Sequence, residues 1–158
     1  MNQAMSQERM EQIFDQVTRE VTQRTAGVCL HGGGSPSGEL CTVYTTFQKG
    51  CWVGLSMCAE RSLFARLAQG MLPGGQVSER DVEDFTKEYF NVLCGRIISE
   101  MYLETKAASR FEQPVFCVGR RVPQGHQEHF SLRYTSDCAE SAELVYQMRD
   151  SAACTLPR

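Results

Sequence analysis

From Met10 the apolar residues Met10, Ile13, Phe14, Val17 and Val21 recur three or four apart, with Gln, Glu, Arg and Thr on the positions between them. That period predicts an amphipathic helix over residues 3–24. A turn-rich segment, 31–38, then separates a short strand over 26–30 from two alternating stretches of β-formers, 40–48 and 51–57. These two read as a hairpin closed by Lys49-Gly50, where glycine supplies the positive φ of a tight turn. Leu63, Phe64, Leu67, Ala68 and Met71 return to helical spacing and predict a second helix over 59–71, ended by Pro73-Gly74-Gly75. Ser78 followed three residues later by Asp81 reads as an N-cap with a carboxylate in the first turn. A long helix is therefore expected over about 79–105, with Val82, Phe85, Tyr89, Leu93, Ile97 and Met101 on its buried side.

The last third returns to strand patterns. Residues 114–119 are β-branched and aromatic, and Phe130, Leu132 and Tyr134 alternate with Ser131, Arg133 and Thr135. Residues 142–149 carry two patterns, since Leu144, Tyr146 and Met148 alternate while Glu, Gln, Ala and Met also favour helix; we read the alternation, as the hairpin partner of that strand. With no solenoid-length repeat and no low-complexity tract, the pattern predicts one domain over 1–158, α/β and layered in the α+β manner. In it, three helices pack on a mainly antiparallel sheet of about six strands.

Composition narrows the function. A length of 158 residues suits one domain, and 16 basic against 19 acidic side chains leave a net charge of −3. No basic field is available to hold nucleic acid or anionic lipid. The charges Glu8, Arg9, Glu11, Asp15, Arg19 and Glu20 interrupt the apolar stretch a signal peptide needs, and no apolar run reaches membrane-spanning length, so a cytoplasmic protein without membrane partners is expected. The 8 cysteines include no CxxC pair, which predicts free, mostly buried thiols and no metal.

Candidate chemistry lies on the long helix. Asp84, Glu88, Asn91 and Gly95, at spacings of four, three and four, form one stripe away from the apolar side, with Asp81 and Ser99 extending it. Gly95 costs a helix interior about 1 kcal/mol against alanine, and close approach of another backbone is the expected compensation. Elsewhere, His31-Gly32-Gly33-Gly34 is similar to an esterase oxyanion loop but lacks a Gly-x-Ser-x-Gly partner, and it has no P-loop ending, so it reads as a flexible loop. His126 and His129, near Gly125, read as solvated turn histidines.

The arrangement Asp84-x3-Glu88-x2-Asn91-x3-Gly95 resembles the signature of the CheC/CheX/FliY family of chemotaxis phosphatases, in its CheX-type form. The hairpin exit Gly50-Cys51-Trp52-Val53-Gly54-Leu55-Ser56-Met57, the helix end Ala68-Gln69-Gly70-Met71 and the later Pro114-Val115-Phe116 agree with it; the likeness covers about residues 40–119. The resemblance implies a hydrolase of two-component signalling that removes the aspartyl phosphate of a CheY-like response regulator. Glu88 would pair with the regulator's active-site lysine and Asn91 would orient the attacking water, with Asp84 and Gly95 as supporting members of the motif. It implies one such site per subunit, a homodimer in which sheets join, no cofactor bound by this chain, and a magnesium ion (Mg2+) held by the partner regulator. Tyr89 and Phe90 occupy positions where smaller residues are common in the family. The alternative is a non-catalytic dimeric module that binds a response regulator or scaffold through the same helix.

Overall fold

A computed structural model describes residues 5–47, 52–121 and 128–148. Its elements run α1 (Gln7–Ala26), β1 (Leu30–Gly32), β2 (Leu40–Thr46), β3 (Trp52–Glu60), α2 (Arg61–Met71), α3 (Glu79–Thr105), β4 (Val115–Val118), β5 (Glu128–Ser136) and β6 (Ser141–Met148). The strands form one six-stranded sheet in the order β1-β5-β6-β3-β2-β4, and every neighbouring pair is antiparallel. The α+β layering predicted from sequence is therefore present, with three helices on one sheet.

Alternation sorts the sheet into two faces. Cys41 and Val43 on β2, Leu55, Met57 and Ala59 on β3, Tyr134 on β5, and Ala142, Leu144 and Tyr146 on β6 share one core cluster with the apolar stripes of all three helices. The helices also touch one another, α1 with α2 and α3, and α2 with α3. Between α1 and α2 the approach is tight enough that a Cβ at Gly70 would lie 2.7 Å from the Ala26 Cα. On the opposite face Glu143 is buried beneath two guanidinium groups, Arg120 from the chain after β4 at 2.8 Å and Arg133 from β5 at 3.5 Å. Among the described residues no helix is long and apolar enough to cross a membrane.

Several boundaries differ from the sequence pattern, each for a local reason. Helix α1 begins after Ser6, whose hydroxyl accepts the Arg9 N–H, and runs to Ala26 because Gly27 at φ 70° caps it. The strand predicted over 26–30 therefore begins only at Leu30, and it takes in His31 and Gly32, which pair with Thr135 and Tyr134. Strand β3 continues through Cys58 and Ala59, held by Glu143 and Ala142 of β6, so the second helix starts at Arg61 and not at residue 59. The final strands form the predicted hairpin, with Phe130 opposite Tyr146 and Leu132 opposite Leu144. His129 lies within β5, a strand and not the predicted turn. The Lys49-Gly50 turn and His126 lie outside the described residues.

Replacing Gly70 with alanine tests the α1–α2 contact. The added methyl meets backbone at 2.7 Å, an overpacking cost of about 1–3 kcal/mol, which outweighs the ~1 kcal/mol that alanine gains in helix propensity. Chemical denaturation of Gly70→Ala is expected to give a lower midpoint than the parent, and an equal or higher midpoint would contradict the packing described.

Candidate functional site

Helix α3 is fixed at both ends and along one side. At its start Ser78 Oγ accepts the Asp81 N–H at 3.1 Å while the Asp81 carboxylate accepts the Ser78 N–H at 3.0 Å. Glu79 and Asp81 also face the positive end of the helix dipole. At its close the Lys106 N–H donates to the Tyr102 carbonyl at 2.8 Å, with Lys106 in the left-handed region at φ 59°. The boundaries coincide with those predicted from sequence.

The inner face of α3 buries Val82, Thr86, Tyr89, Phe90, Leu93, Cys94, Ile97 and Met101. This differs from expectation at one predicted core position: Phe85 is only half-buried, while Thr86, Phe90 and Cys94 lie inside. The cause is that α3 packs against both other helices as well as the sheet, so its buried arc is wider than one stripe. Within that arc the Tyr89 hydroxyl shares a hydrogen bond with Thr22 Oγ1 of α1 at 2.6 Å. Burial pushes the Tyr89 phenol up to about 12, so it stays a neutral partner at physiological pH. Farther along, Arg96 donates to the Glu20 carboxylate at 2.9 Å and holds that carboxyl below its usual range.

Because the inner arc is committed, the motif residues face outward. Asp84 and Glu88 are exposed, and Asn91 and Gly95 are half-exposed. All four thus share the outer side, and Tyr89 and Phe90, fully buried, add no bulk to it. Asp84 stands 3.9 Å from Arg80, and Glu83 pairs with Lys87 at 3.3 Å. Glu88 and Asn91, by contrast, have no side-chain hydrogen bond or ion pair among the described residues. A carboxylate and an amide left unpaired side by side on a rigid helix can receive a cation and hold a water or an oxyanion.

The expected reason for Gly95 is not found among the described residues. A Cβ built there meets nothing within 4 Å, so no neighbouring backbone requires the glycine. The glycine-rich segment 32–34 is structural: Gly32 belongs to β1, and a Cβ on Gly34 would collide with the Thr135 hydroxyl. Pattern reading also missed that Tyr102 and Leu103, at the far end of α3, stand in solvent at 46% and 62% exposure. Their position in an amphipathic sequence gave no signal of it. Of the described cysteines, all free, Cys41, Cys58 and Cys94 are buried, Cys117 is half-buried and Cys29 and Cys138 are exposed.

No family model matches the chain, and no curated protein sequence matches it. Solved structures do. The chemotaxis protein CheX from Desulfovibrio desulfuricans superposes with a TM-score of 0.76 at 11% identity, over 89% of this chain and 99% of that one. CheX from Vibrio vulnificus gives 0.73 at 15% identity, covering 94% and 100% of the two chains. CheX in its complex with CheY, BeF3 and magnesium from Borrelia burgdorferi gives 0.71 at 10% identity, over 89% and 98%. The chain has the fold of the CheX chemotaxis proteins, over nearly their whole length.

The thiols report whether α3 stays closed. Burial raises the Cys94 thiol far above its ordinary range, so almost no thiolate exists to react. In native protein at pH 8, iodoacetamide is expected to label Cys29 and Cys138 while Cys94 stays unmodified until denaturant is added. Labelling of Cys94 as fast as Cys29, read by peptide mass mapping, would show that the inner face of α3 opens in the native state.

Proposed function

We propose that the chain is a phosphatase for the aspartyl phosphate of a CheY-like response regulator, acting through the outer face of α3. The observation that carries this is the outward pair Glu88 and Asn91, unpaired among the described residues on a helix whose other side is committed to the core. The fold agrees, since one protein that shares it is a CheX solved with CheY.

Glu88 is the docking group. A carboxylate exposed on a rigid helix meets the regulator's active-site lysine without first losing a partner of its own, which favours fast, salt-sensitive association. Asn91, one turn further on, enters beside the acyl phosphate. Its amide both donates and accepts hydrogen bonds, so it can hold a water in line with the phosphorus without acting as a base. The water oxygen then bonds to phosphorus as the bond from phosphorus to the aspartyl oxygen breaks, releasing the aspartate as a carboxylate and inorganic phosphate, which takes both protons of the water and gives one up to solvent near neutral pH. An acyl phosphate is already activated, so positioning and charge stabilisation suffice. In this proposal the magnesium ion belongs to the regulator's acidic pocket and neutralises phosphoryl charge there.

Asp84 extends the acidic approach, and Gly95 gives the partner a flat place to lie. An interior helical glycine with open space above it costs stability without relieving any contact among the described residues, which is what a surface reserved for another molecule's backbone looks like. We also propose a homodimer joined through the sheet. Its support is edge strand β4, where Val115 and Val118 are exposed and whose outer side pairs with no strand among the described residues, a template for a second copy.

Two experiments follow, with a phosphorylated CheY-like regulator at fixed magnesium. Asn91→Ala is expected to bind the regulator nearly as well as the parent and to lower the dephosphorylation rate constant roughly a hundredfold, since one oriented hydrogen-bonding group typically contributes about 3 kcal/mol to a transition state. Glu88→Ala is expected to weaken binding and flatten its salt dependence. Parent-level turnover in folded Asn91→Ala would reject catalysis by this residue and favour the binding-module alternative. Second, Gly95→Ala is expected to stabilise the free protein by about 0.5–1 kcal/mol in denaturant titration while weakening regulator binding; a stabilised variant with unchanged affinity would remove Gly95 from the interface.

A further inference from the structure

Beyond the motif, the outer face of α3 changes chemistry. Its N-terminal part carries Glu79, Asp81, Glu83, Asp84 and Glu88 against the two cations Arg80 and Lys87, and is acidic. From Asn91 the same side becomes uncharged and then apolar. Tyr102 lies about five turns beyond Asp84 at the same angular position, since eighteen residues at 3.6 per turn close whole turns. It stands roughly 16 Å along the axis from Asn91 at 1.5 Å per residue.

Three of the large hydrophobic side chains exposed among the described residues belong to this helix: Val92 at 43%, Tyr102 at 46% and Leu103 at 62%. They have no structural need to be apolar, because the inner arc already supplies the core contacts of α3. Ile98, Ser99, Tyr102 and Leu103 also form one wall of an open groove of about 360 Å³, whose other wall is Ala108 and Ser109. The Lys106 ammonium stands 5.9 Å from the centre of the Tyr102 ring.

We infer that this groove is a second docking site for the response regulator, taking an apolar side chain that the regulator presents about 16 Å from its phosphorylated aspartate. The inference rests on the phosphatase function proposed above. Its occupant follows from continuity and charge. A protein whose lysine meets Glu88 and whose backbone crosses Gly95 continues along the same line to Tyr102, and the groove it finds there is lined by Ile98, Ser99, Tyr102, Leu103, Ala108 and Ser109, none of them charged. The acidic end accelerates encounter and is screened by salt; the apolar end holds the complex and is insensitive to salt. Recognition is thus divided, with the reaction at Asn91 and the choice among regulators at Tyr102 and Leu103. These two are specificity residues and not catalytic ones, because neither reaches the reacting atoms.

The test compares Tyr102→Ala/Leu103→Ala with the parent full-length chain, using a regulator domain activated with beryllofluoride for binding and phosphorylated for turnover. The double variant is expected to bind roughly tenfold to a hundredfold more weakly, the range for losing burial of one large apolar side chain. Single-turnover hydrolysis at saturation and the salt dependence of binding should be unchanged, while Tyr102→Phe should bind like the parent. Equal affinity in the double variant, with the parent binding normally, would overturn the groove and leave the phosphatase function standing. A parent that binds no regulator would overturn both. Loss of fold in the variant, seen by circular dichroism, would mean the two side chains serve stability, and a change in its oligomeric state by light scattering would assign the groove to a second copy; either result overturns the inference.

Discussion

Everything outward on this molecule depends on the commitment of one side of α3 inward. Tyr89, Phe90, Leu93, Cys94 and Ile97 are at or near zero exposure, and each large apolar side chain among them is worth about 1.5–3 kcal/mol of burial. Turning the helix by one residue, 100° about its axis, would lift several of them into water at once. The Tyr89–Thr22 hydrogen bond narrows the choice further: the Thr22 hydroxyl also donates to the Thr18 carbonyl, but the Tyr89 hydroxyl left without Thr22 in the core would cost about 1–3 kcal/mol. Rotation about the axis is thereby fixed, and with it the outward aim of Glu88 and Asn91. The capping box at Ser78 and Asp81 sets the start of the helix, so translation along the axis is fixed as well.

The remaining architecture supports that helix. The sheet supplies a floor, α1 meets α3 through Thr22 and through the Glu20–Arg96 pair, and α2 closes against α1 at Gly70. Arg61, the first residue of α2, reaches across to Glu79 at 2.6 Å and ties the beginnings of the two helices together. A site built on a rigid element needs little rearrangement at the moment of docking, which suits a reaction in which positioning is the main contribution. The acidic groups of the outer face cost the fold little, because they remain in water.

What the sequence disclosed follows the range of the interactions responsible. The bounds of α3 were legible because Ser78 and Asp81 act across three residues, and the β5–β6 hairpin was legible because alternation persists on both strands. Where a boundary depended on pairing with distant chain, as for β3 beyond residue 57, the helical period of the following segment masked it. Gly27 falls within the strand predicted over 26–30 although it ends α1. The motif stripe was visible as a spacing. That Phe85 stands half out, that Phe90 and Cys94 lie inside, and that Tyr102 and Leu103 face solvent depend on where α1 and α2 sit, which no local pattern records. Gly95 was noticed for the right physical reason, but its expected neighbour is absent among the described residues.

The central claim is that the outer stripe of α3 is the surface a response regulator meets. Amide chemical shifts of the isotopically labelled chain, followed as an unlabelled beryllofluoride-activated CheY-like receiver domain is added, test it most directly. The account expects perturbations that saturate with the receiver and centre on Asp84, Glu88, Asn91 and Gly95, leaving the amides of β1 and β5 unmoved. Saturating perturbations centred on the far face of the sheet, or none with an activated receiver at concentrations well above micromolar, would contradict it.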